Sequence, residues 1–223
     1  MSMSQAREIT CPKCGKKASF QVWQSINTTL DPDMKPAVRD GSAFLFTCPH
    51  CQEKRPVEYG LLYHQMEDRM LIQVAVTEED KKQVLDMFTG DRMAGMLKGM
   101  EPESRYLFRI VDSQNRLREK LVIFDCGYDD RLMEIYKVYL KAMYQEKHPE
   151  IQDIVMFFYG APDAEKGIQA MIGGRTAGSL PFIEEMYQDI SNLYLPVLGD
   201  IRAEQPIVDF DWAARFLREN REK

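Results

Sequence analysis

The sequence predicts an α+β protein in which a β module with a small antiparallel sheet comes first and helices and β-hairpins follow. Two Cys-Pro-x-Cys motifs, beginning at Cys11 and Cys48, mark the two ends of a segment that must fold back on itself. Short runs of alternating or continuous apolar residues indicate strands before residue 77 and again after residue 150. Apolar residues at helical spacing between residues 129 and 147 indicate the strongest helix of the chain.

The four paired cysteines form two knuckles, Cys11-Pro12-Lys13-Cys14 and Cys48-Pro49-His50-Cys51. Two cysteines separated by two residues can direct both sulfurs to one ion from a tight turn, and proline helps to preset that turn. Four thiolates complete a closed tetrahedral zinc site, so a four-cysteine zinc ribbon is predicted. A disulfide pair, an iron site of rubredoxin type and a thiol-redox role remain alternatives. The predicted Zn²⁺ ligands are Cys11, Cys14, Cys48 and Cys51.

The residue after each knuckle can favour the turn if its φ is positive. Gly15 can adopt the left-handed conformation that turns backbone N–H groups toward the sulfurs. Gln52 stands at the equivalent place, where a side chain costs roughly 1 kcal/mol. Metal binding, about 10–16 kcal/mol in small zinc peptides, would offset that cost. The 33 residues between Cys14 and Cys48 exceed the usual spacing of compact sites, so this insert must carry its own structure.

The first 76 residues are predicted to form the ribbon and its sheet. Residues 1–8 are polar and are expected to be a mobile leader. Asp31-Pro32 is typical of a helix start, Pro36 limits that helix to a turn or two, and Gly41 ends it. The predicted strands are residues 18–26, 43–47, 56–64 and 70–76.

Residues 77–150 are predicted to form a helix–hairpin–helix section. Thr77 caps a helix that Gly90 ends, and Asp91 begins a short helix. Two segments, residues 105–112 and 117–124, are predicted to form a β-hairpin across residues 113–116. The short helix carries Met93, Met96, Leu97 and Met100. The strongest helix runs from Asp129-Asp130 to His148-Pro149, with an apolar stripe of Leu132, Ile135, Tyr136, Tyr139, Leu140 and Met143.

Residues 151–223 are predicted to form a C-terminal α/β segment of unknown role. Pro181 is expected to start a helix, and Asp209 is expected to cap the last helix at residues 210–220. The predicted strands are residues 154–159, 168–172 and 206–208.

The motifs resemble the CpXC family of bacterial and archaeal proteins over about residues 8–147. That resemblance implies a metal-binding domain and supplies no reaction, and residues from 150 onward resemble no family that we can name. Beyond the cysteines it is carried by Ile9-Thr10, Trp23-Gln24-Ser25-Ile26-Asn27, Leu30-Asp31-Pro32, Phe44-Leu45-Phe46-Thr47, Leu61-Leu62-Tyr63-His64, Arg109-Ile110-Val111, Leu117-Arg118-Glu119-Lys120 and Asp129-Asp130-Arg131.

Composition limits the possible functions. The 223 residues are 44% hydrophobic, which suits a globular core, and no signal peptide or 18-residue apolar run is visible. A cytoplasmic location is therefore expected, where thiols stay reduced and bind metal rather than form disulfides. The net charge is −6, of which residues 1–76 contribute +1 and residues 77–223 contribute −7. An acidic chain without a basic stripe is a poor non-specific binder of nucleic acid.

Two isolated side chains, Cys126 and His64, are candidates for catalysis. Cys126 precedes a predicted helix, but the neighbouring aspartates would raise its pKa, so we interpret it as a small buried residue. His64 could be a general base or a substitute ligand, yet four thiols already close the metal shell. His50 lies inside a knuckle and is expected to face solvent.

Other motifs have simple structural explanations. Residues 173–179 have glycines five apart, as in a phosphate-binding loop, but no lysine precedes Ser179, so a flexible loop is expected. Arg175 in this segment could still meet an anion. Carboxylate pairs at residues 129–130, 184–185 and 209 with 211 lie in predicted first helical turns, where the helix dipole explains them. No G-x-S-x-G motif is present.

The sequence therefore favours a zinc-binding protein with a structural metal and a surface for a protein partner; the oligomeric state stays open. One alternative is an enzyme with a pocket between the ribbon and the C-terminal segment, lined by His64, Arg175 or Cys126. A second alternative is nucleic-acid binding, which requires the knuckle cations to converge near an exposed Trp23 or Phe46. Those cations are Lys13, Lys16, Lys17, Lys54 and Arg55.

Overall fold

The structure is a computed structural model of the chain and describes residues 2–90, 104–202 and 205–220. It is an α+β fold, as predicted, and it divides into two compact units, Met1–Arg118 and Glu119–Lys223. The predicted boundaries at residues 76 and 150 stay predictions. The described strands are β1 (Met3–Thr10), β2 (Lys17–Asn27), β3 (Leu45–Thr47), β4 (Lys54–Pro56), β5 (Leu61–Gln65), β6 (Met70–Val74), β7 (Leu107–Val111), β8 (Ile154–Tyr159), β9 (Gly167–Ile172) and β10 (Arg175–Pro181). The described α-helices are α1 (Met34–Asp40), α2 (Glu78–Thr89), α3 (Gln114–Asp125), α4 (Asp130–Lys147), α5 (Glu184–Leu198) and α6 (Phe210–Glu219).

The first unit contains a five-stranded sheet in the order β1-β2-β5-β6-β7. The expected antiparallel sheet is correct only in part: β1 pairs with β2 and β5 pairs with β6 antiparallel, whereas β2 pairs with β5 and β6 pairs with β7 in parallel. Long crossovers explain the difference: residues 28–60 separate β2 from β5, which is enough chain to return in the same direction. β3 and β4 form a separate two-stranded sheet.

The predicted mobile leader is a strand. β1 pairs antiparallel with β2 along its length, from Met3 opposite Ser25 to Thr10 opposite Lys17. An edge strand is held mainly by backbone hydrogen bonds and can expose polar side chains. The polar sequence of β1 therefore does not predict a strand.

The helices of the first unit follow their predicted caps only in part. α1 begins at Met34 rather than at Asp31-Pro32, and Gly41 ends it with φ +85°, as predicted. The Thr77 hydroxyl accepts the Asp80 backbone N–H at 3.1 Å and caps α2, also as predicted. The predicted short helix bearing Met93, Met96, Leu97 and Met100 lies outside the described residues.

The predicted hairpin at residues 105–124 is wrong in its second half. Residues 107–111 form β7, but the chain then enters α3. The Ser113 hydroxyl accepts the Arg116 backbone N–H at 3.3 Å, so the supposed turn is a helix N-terminus. Leu117 and Leu121 are both fully buried. They lie four residues apart, which fits a helix face as well as it fits a short strand.

The second unit contains an antiparallel sheet in the order β10-β9-β8. α4 contacts α5, α6 and β8. The predicted strand at 154–159 is confirmed, and the 168–172 partner begins one residue earlier. Asp129 caps α4 through the Arg131 backbone N–H at 2.8 Å, and Asp209 caps α6 through that of Trp212 at 2.8 Å. Of the predicted α4 stripe, Tyr139 and Met143 are exposed.

Three predictions for the second unit are wrong. The expected loop at 173–179 is a tight turn at Gly173 and Gly174, both with positive φ, followed by β10. Pro181 ends β10, and α5 starts at Glu184. Residues 206–208 form no strand, although Val208 is buried. Among the described residues, no helix combines the length and the apolar character that a membrane span requires.

Candidate metal centre

Each knuckle is the turn of a β-hairpin in the first unit. Thr10 at the end of β1 lies opposite Lys17 at the start of β2, and the first knuckle joins them. Thr47 at the end of β3 lies opposite Lys54 at the start of β4, with the second knuckle between them. The 33-residue insert is structured, as predicted, and returns the chain to the first knuckle.

The two knuckles share one backbone geometry. The Cys11 N–H donates to the Lys16 carbonyl at 2.9 Å, and the Gly15 N–H donates to the Cys11 carbonyl at 2.9 Å. The second knuckle repeats both bonds, with Cys48 donating to Glu53 at 2.8 Å and Gln52 donating to Cys48 at 2.9 Å. Both following residues have a positive φ, Gly15 at +68° and Gln52 at +59°.

The structure brings the four predicted cysteines together. Cys11 Sγ lies 3.6 Å from Cys51 Sγ, and Cys14 Sγ lies 3.7 Å from Cys48 Sγ. All four sulfurs lie within 4.8 Å of one another. A tetrahedral metal with metal–sulfur bonds of about 2.3 Å separates its sulfurs by about 3.8 Å, whereas a disulfide requires about 2.05 Å. The five cysteines are free thiols, so the geometry fits a four-sulfur metal site and not the disulfide alternative.

Apolar residues surround one side of the sulfur cluster. Cys11 and Cys48 are fully buried, whereas Cys14 and Cys51 are partly exposed. The rings of Phe20 and Phe46 meet edge to face, with centroids 6.0 Å apart. This wall limits the access of water to the sulfurs and lowers the local dielectric constant, which strengthens the attraction between thiolates and a cation. The other apolar residues against the cluster are Ile9, Ala18 and Val57.

The four thiols differ in acidity before a metal binds. The backbone N–H of Cys14, with further hydrogen bonds from Lys13, Cys51 and Cys48, outweighs burial and lowers the pKa of Cys11 to about 7. For Cys51, a hydrogen bond from the Glu53 backbone is outweighed by burial and by the other cysteines, which raise its pKa to about 12. One sulfur is therefore ready to bind as a thiolate, and a metal must displace protons from others.

Two of the five cations near the knuckles are paired with carboxylates. Lys13 pairs with Glu53 across the two knuckles at 2.9 Å, and Lys17 pairs with Glu8 at 2.7 Å. Phe46 is buried against the sulfurs and presents no ring for stacking on a base. Phe46 therefore cannot be the stacking residue of the nucleic-acid alternative, whereas Trp23 is partly exposed.

His64 lies away from the sulfur cluster, on β5, at the end of the parallel pair that β5 forms with β2. Its Nδ1 lies 3.4 Å from Asn27 Nδ2, and its Nε2 lies 3.2 Å from the Tyr106 hydroxyl. Asn27 Oδ1 accepts the Thr29 N–H at 3.0 Å, which orients the amide so that its N–H faces the imidazole. Burial lowers the pKa of His64, so the arrangement holds a neutral imidazole. Sequence patterns do not reveal this contact, because Asn27, His64 and Tyr106 are far apart along the chain.

The other proposed catalytic residues show no activation. Cys126 is partly buried, and burial raises the pKa of its thiol, with Asp125 adding to the effect and Lys166 opposing it. A raised pKa disfavours the thiolate that a nucleophile requires. Arg175 lies exposed at the start of β10, and His50 lies exposed in the second knuckle, as expected.

The explanation offered for the carboxylate pair at 129–130 is incomplete. Asp129 caps α4, but Asp130 is fully buried and its Oδ2 lies 2.9 Å from Lys120 Nζ. The predicted hairpin strand at 117–124 does not place Lys120 against α4. The contact forms because residues 114–125 are the helix α3, which directs Lys120 toward α4.

The comparisons with known proteins agree with the two motifs. The family model described as CpXC protein matches residues 9–137, more than half of the chain. No curated protein and no solved structure matches the chain.

Proposed function

The chain belongs to the CpXC family, and on that premise we propose that it is a zinc-binding protein whose metal is structural. Cys11, Cys14, Cys48 and Cys51 would hold one Zn²⁺ and make the two hairpins a zinc ribbon. The observation that carries this proposal is the convergence of four sulfurs within 4.8 Å of one another from two hairpin turns of matching geometry.

A structural role follows from the number of thiols. Four thiolates close the tetrahedral shell, so no position remains for a substrate or an activated water molecule. The second hairpin is small, since β3 and β4 contribute three residues each. Such a hairpin buries little apolar surface of its own, and a metal that binds only the folded arrangement would stabilise it.

The surface of the ribbon would serve interaction with a protein partner. The knuckle tips expose Pro12, Lys13, Pro49 and His50, which leaves these side chains accessible to a partner. Such a ribbon works in the reducing cytoplasm, where the four thiols remain available to the metal.

Elemental analysis of the full-length protein, purified without added metal, tests the proposal. We expect one zinc per chain in the wild type and a loss of both metal and thermal stability in Cys48→Ser. Cys126→Ser is the matched control: it removes the cysteine outside the cluster and should keep one zinc per chain.

Two results would contradict the proposal. Iron in place of zinc would indicate electron transfer through a rubredoxin-type site. A metal-free protein whose four cysteines are oxidised in pairs would indicate a thiol-redox role.

A further inference from the structure

Five ionisable side chains of the second unit are buried together on α3 and α4. Charges in an apolar interior are tolerated when they are paired, and a pair can also neutralise itself by moving a proton. Each of the five is at most 3% exposed: Glu119, Lys120, Asp130, Glu134 and Lys137.

Lys120 lies between two carboxylates of α4. Its Nζ is 2.9 Å from Asp130 Oδ2 and 3.3 Å from Glu134 Oε1. Asp130 and Glu134 are four residues apart and therefore lie on one face of α4. The amine thus contacts one carboxyl group that it can attack and a second that can transfer its protons.

We propose that Lys120 and Asp130 form an intramolecular isopeptide bond, with Glu134 as the proton-transfer residue. One proton first passes from Nζ to the Asp130 carboxylate, which leaves an amine and a carboxylic acid. The amine attacks Cγ, while Glu134 takes a second proton from Nζ and returns it to the departing hydroxyl group. The Nζ–Cγ bond forms, the Cγ–O bond breaks and one water molecule leaves. The third proton stays on the amide nitrogen, and no electrons or other reactants are required.

Position and burial favour this reaction. Reacting groups held in contact by a fold have effective concentrations of roughly 10⁵–10⁸ M. The amide replaces a buried ion pair by a neutral group, which removes the cost of keeping two charges out of water. The same exclusion of water that isolates the pair protects the product from hydrolysis.

Lys137 also lies between two carboxylates, with Glu134 Oε2 2.8 Å from its Nζ, but its other partner, Glu119, is held in a different way. Glu119 Oε1 lies 2.9 Å from Lys137 Nζ and also accepts the Phe158 backbone N–H at 2.7 Å. A hydrogen bond from the backbone stabilises the ionised carboxylate of Glu119. An amine does not readily attack an ionised carboxylate, because its carbon is a poor electrophile. Glu119 therefore serves as the hydrogen-bond acceptor of the Phe158 N–H in β8, and the reaction is assigned to Lys120 and Asp130.

Intact mass spectrometry of the denatured full-length chain tests the bond. We expect the wild type to be lighter by one water molecule than its sequence mass of 25.9 kDa. Tandem mass spectrometry of a digest should recover one peptide in which Lys120 is joined to Asp130. Glu134→Gln should retain the full mass or lose water slowly. Lys120→Arg should retain the full mass, while the matched Lys137→Arg should still lose water.

A wild-type chain that keeps its full mass after prolonged incubation in the folded state would overturn the proposal. A water loss that maps to Lys137 and Glu119, or to any other residues, would overturn the assignment. The wild-type measurement requires no substitution, so a variant that does not fold leaves the test intact.

Discussion

At the scale of single residues, the knuckles depend on the conformation of the residue that follows each second cysteine. Gly15 and Gln52 both have positive φ, yet only one of them is glycine. The repeated hydrogen bonds to Cys11 and Cys48 explain why Gln52 tolerates this conformation: the hairpin fixes the backbone whatever the side chain.

Gly15→Ala is expected to lower the free energy of unfolding by about 1 kcal/mol, because an L-residue is strained at this φ. A Cβ at Gly15 would meet no atom within 4 Å, so the cost is conformational and the metal content should not change. Gln52→Ala is the matched control, since it leaves the strain as it is and should alter stability little. Chemical denaturation of both variants measures the difference, and equal destabilisation by the two substitutions would contradict the account.

A second residue-scale prediction concerns Arg131, which is almost fully buried. Its guanidinium donates to both oxygens of Asp129 and to the backbone carbonyls of Leu198, Gly199 and Asp200. Lysine has no planar fork and would leave some of these acceptors unpaired. Arg131→Lys should therefore lower the unfolding free energy by about 2–3 kcal/mol.

The exposed Arg175 provides the control for that substitution. Arg175→Lys should leave the midpoint of thermal unfolding unchanged. If Arg131→Lys also left the midpoint of thermal unfolding unchanged, that result would contradict the role of the buried guanidinium in joining the start of α4 to the end of α5.

At the scale of elements, residues 105–125 show where sequence patterns mislead. Both β7 and α3 contain dense apolar residues, and Leu117 and Leu121 fit either a short strand or a helix face. Ser113 is the available signal of a helix cap, but residues 113–116 fit a turn equally well. By contrast, α2, α4 and α6 have an Asp or Thr cap before a clear helical period, and their starts were predicted correctly.

Ser113→Ala should lower the free energy of unfolding by about 1 kcal/mol, because the first turn of α3 loses its side-chain acceptor. Ser179→Ala, in the exposed part of β10, is the matched control and should have little effect. The measurement is chemical denaturation followed by circular dichroism in the helical region. An unchanged midpoint for Ser113→Ala would contradict the capped helix.

At the scale of the whole molecule, the metal site was more predictable than the sheet around it. The motifs specify the ligand types and spacing directly, since one tight turn supplies each pair of sulfurs. The sheet depends on contacts between distant segments: β1 is polar and β7 returns after more than 30 residues, and neither pairing leaves a local pattern. The buried ion pairs of α3 and α4 were missed for the same reason.

Metal retention should depend on pH. Metal binding requires thiolates, and the pKa of Cys51 is raised to about 12 while that of Cys11 is lowered to about 7. At neutral pH the metal-free site therefore holds protons that zinc must displace, and acidification returns them. Zinc affinity should fall as pH falls, by more than one proton per metal, in a competition assay with a chromogenic chelator. An affinity independent of pH between about pH 8 and pH 5 would contradict thiolate ligation.

X-ray absorption spectroscopy at the zinc edge of the purified full-length protein tests the central claim most directly, because it reports the ligands of the bound metal. The account predicts four sulfur ligands at about 2.3 Å and no nitrogen or oxygen ligand. A shell containing imidazole nitrogen or water oxygen would contradict a closed four-cysteine site and would indicate an open, reactive metal.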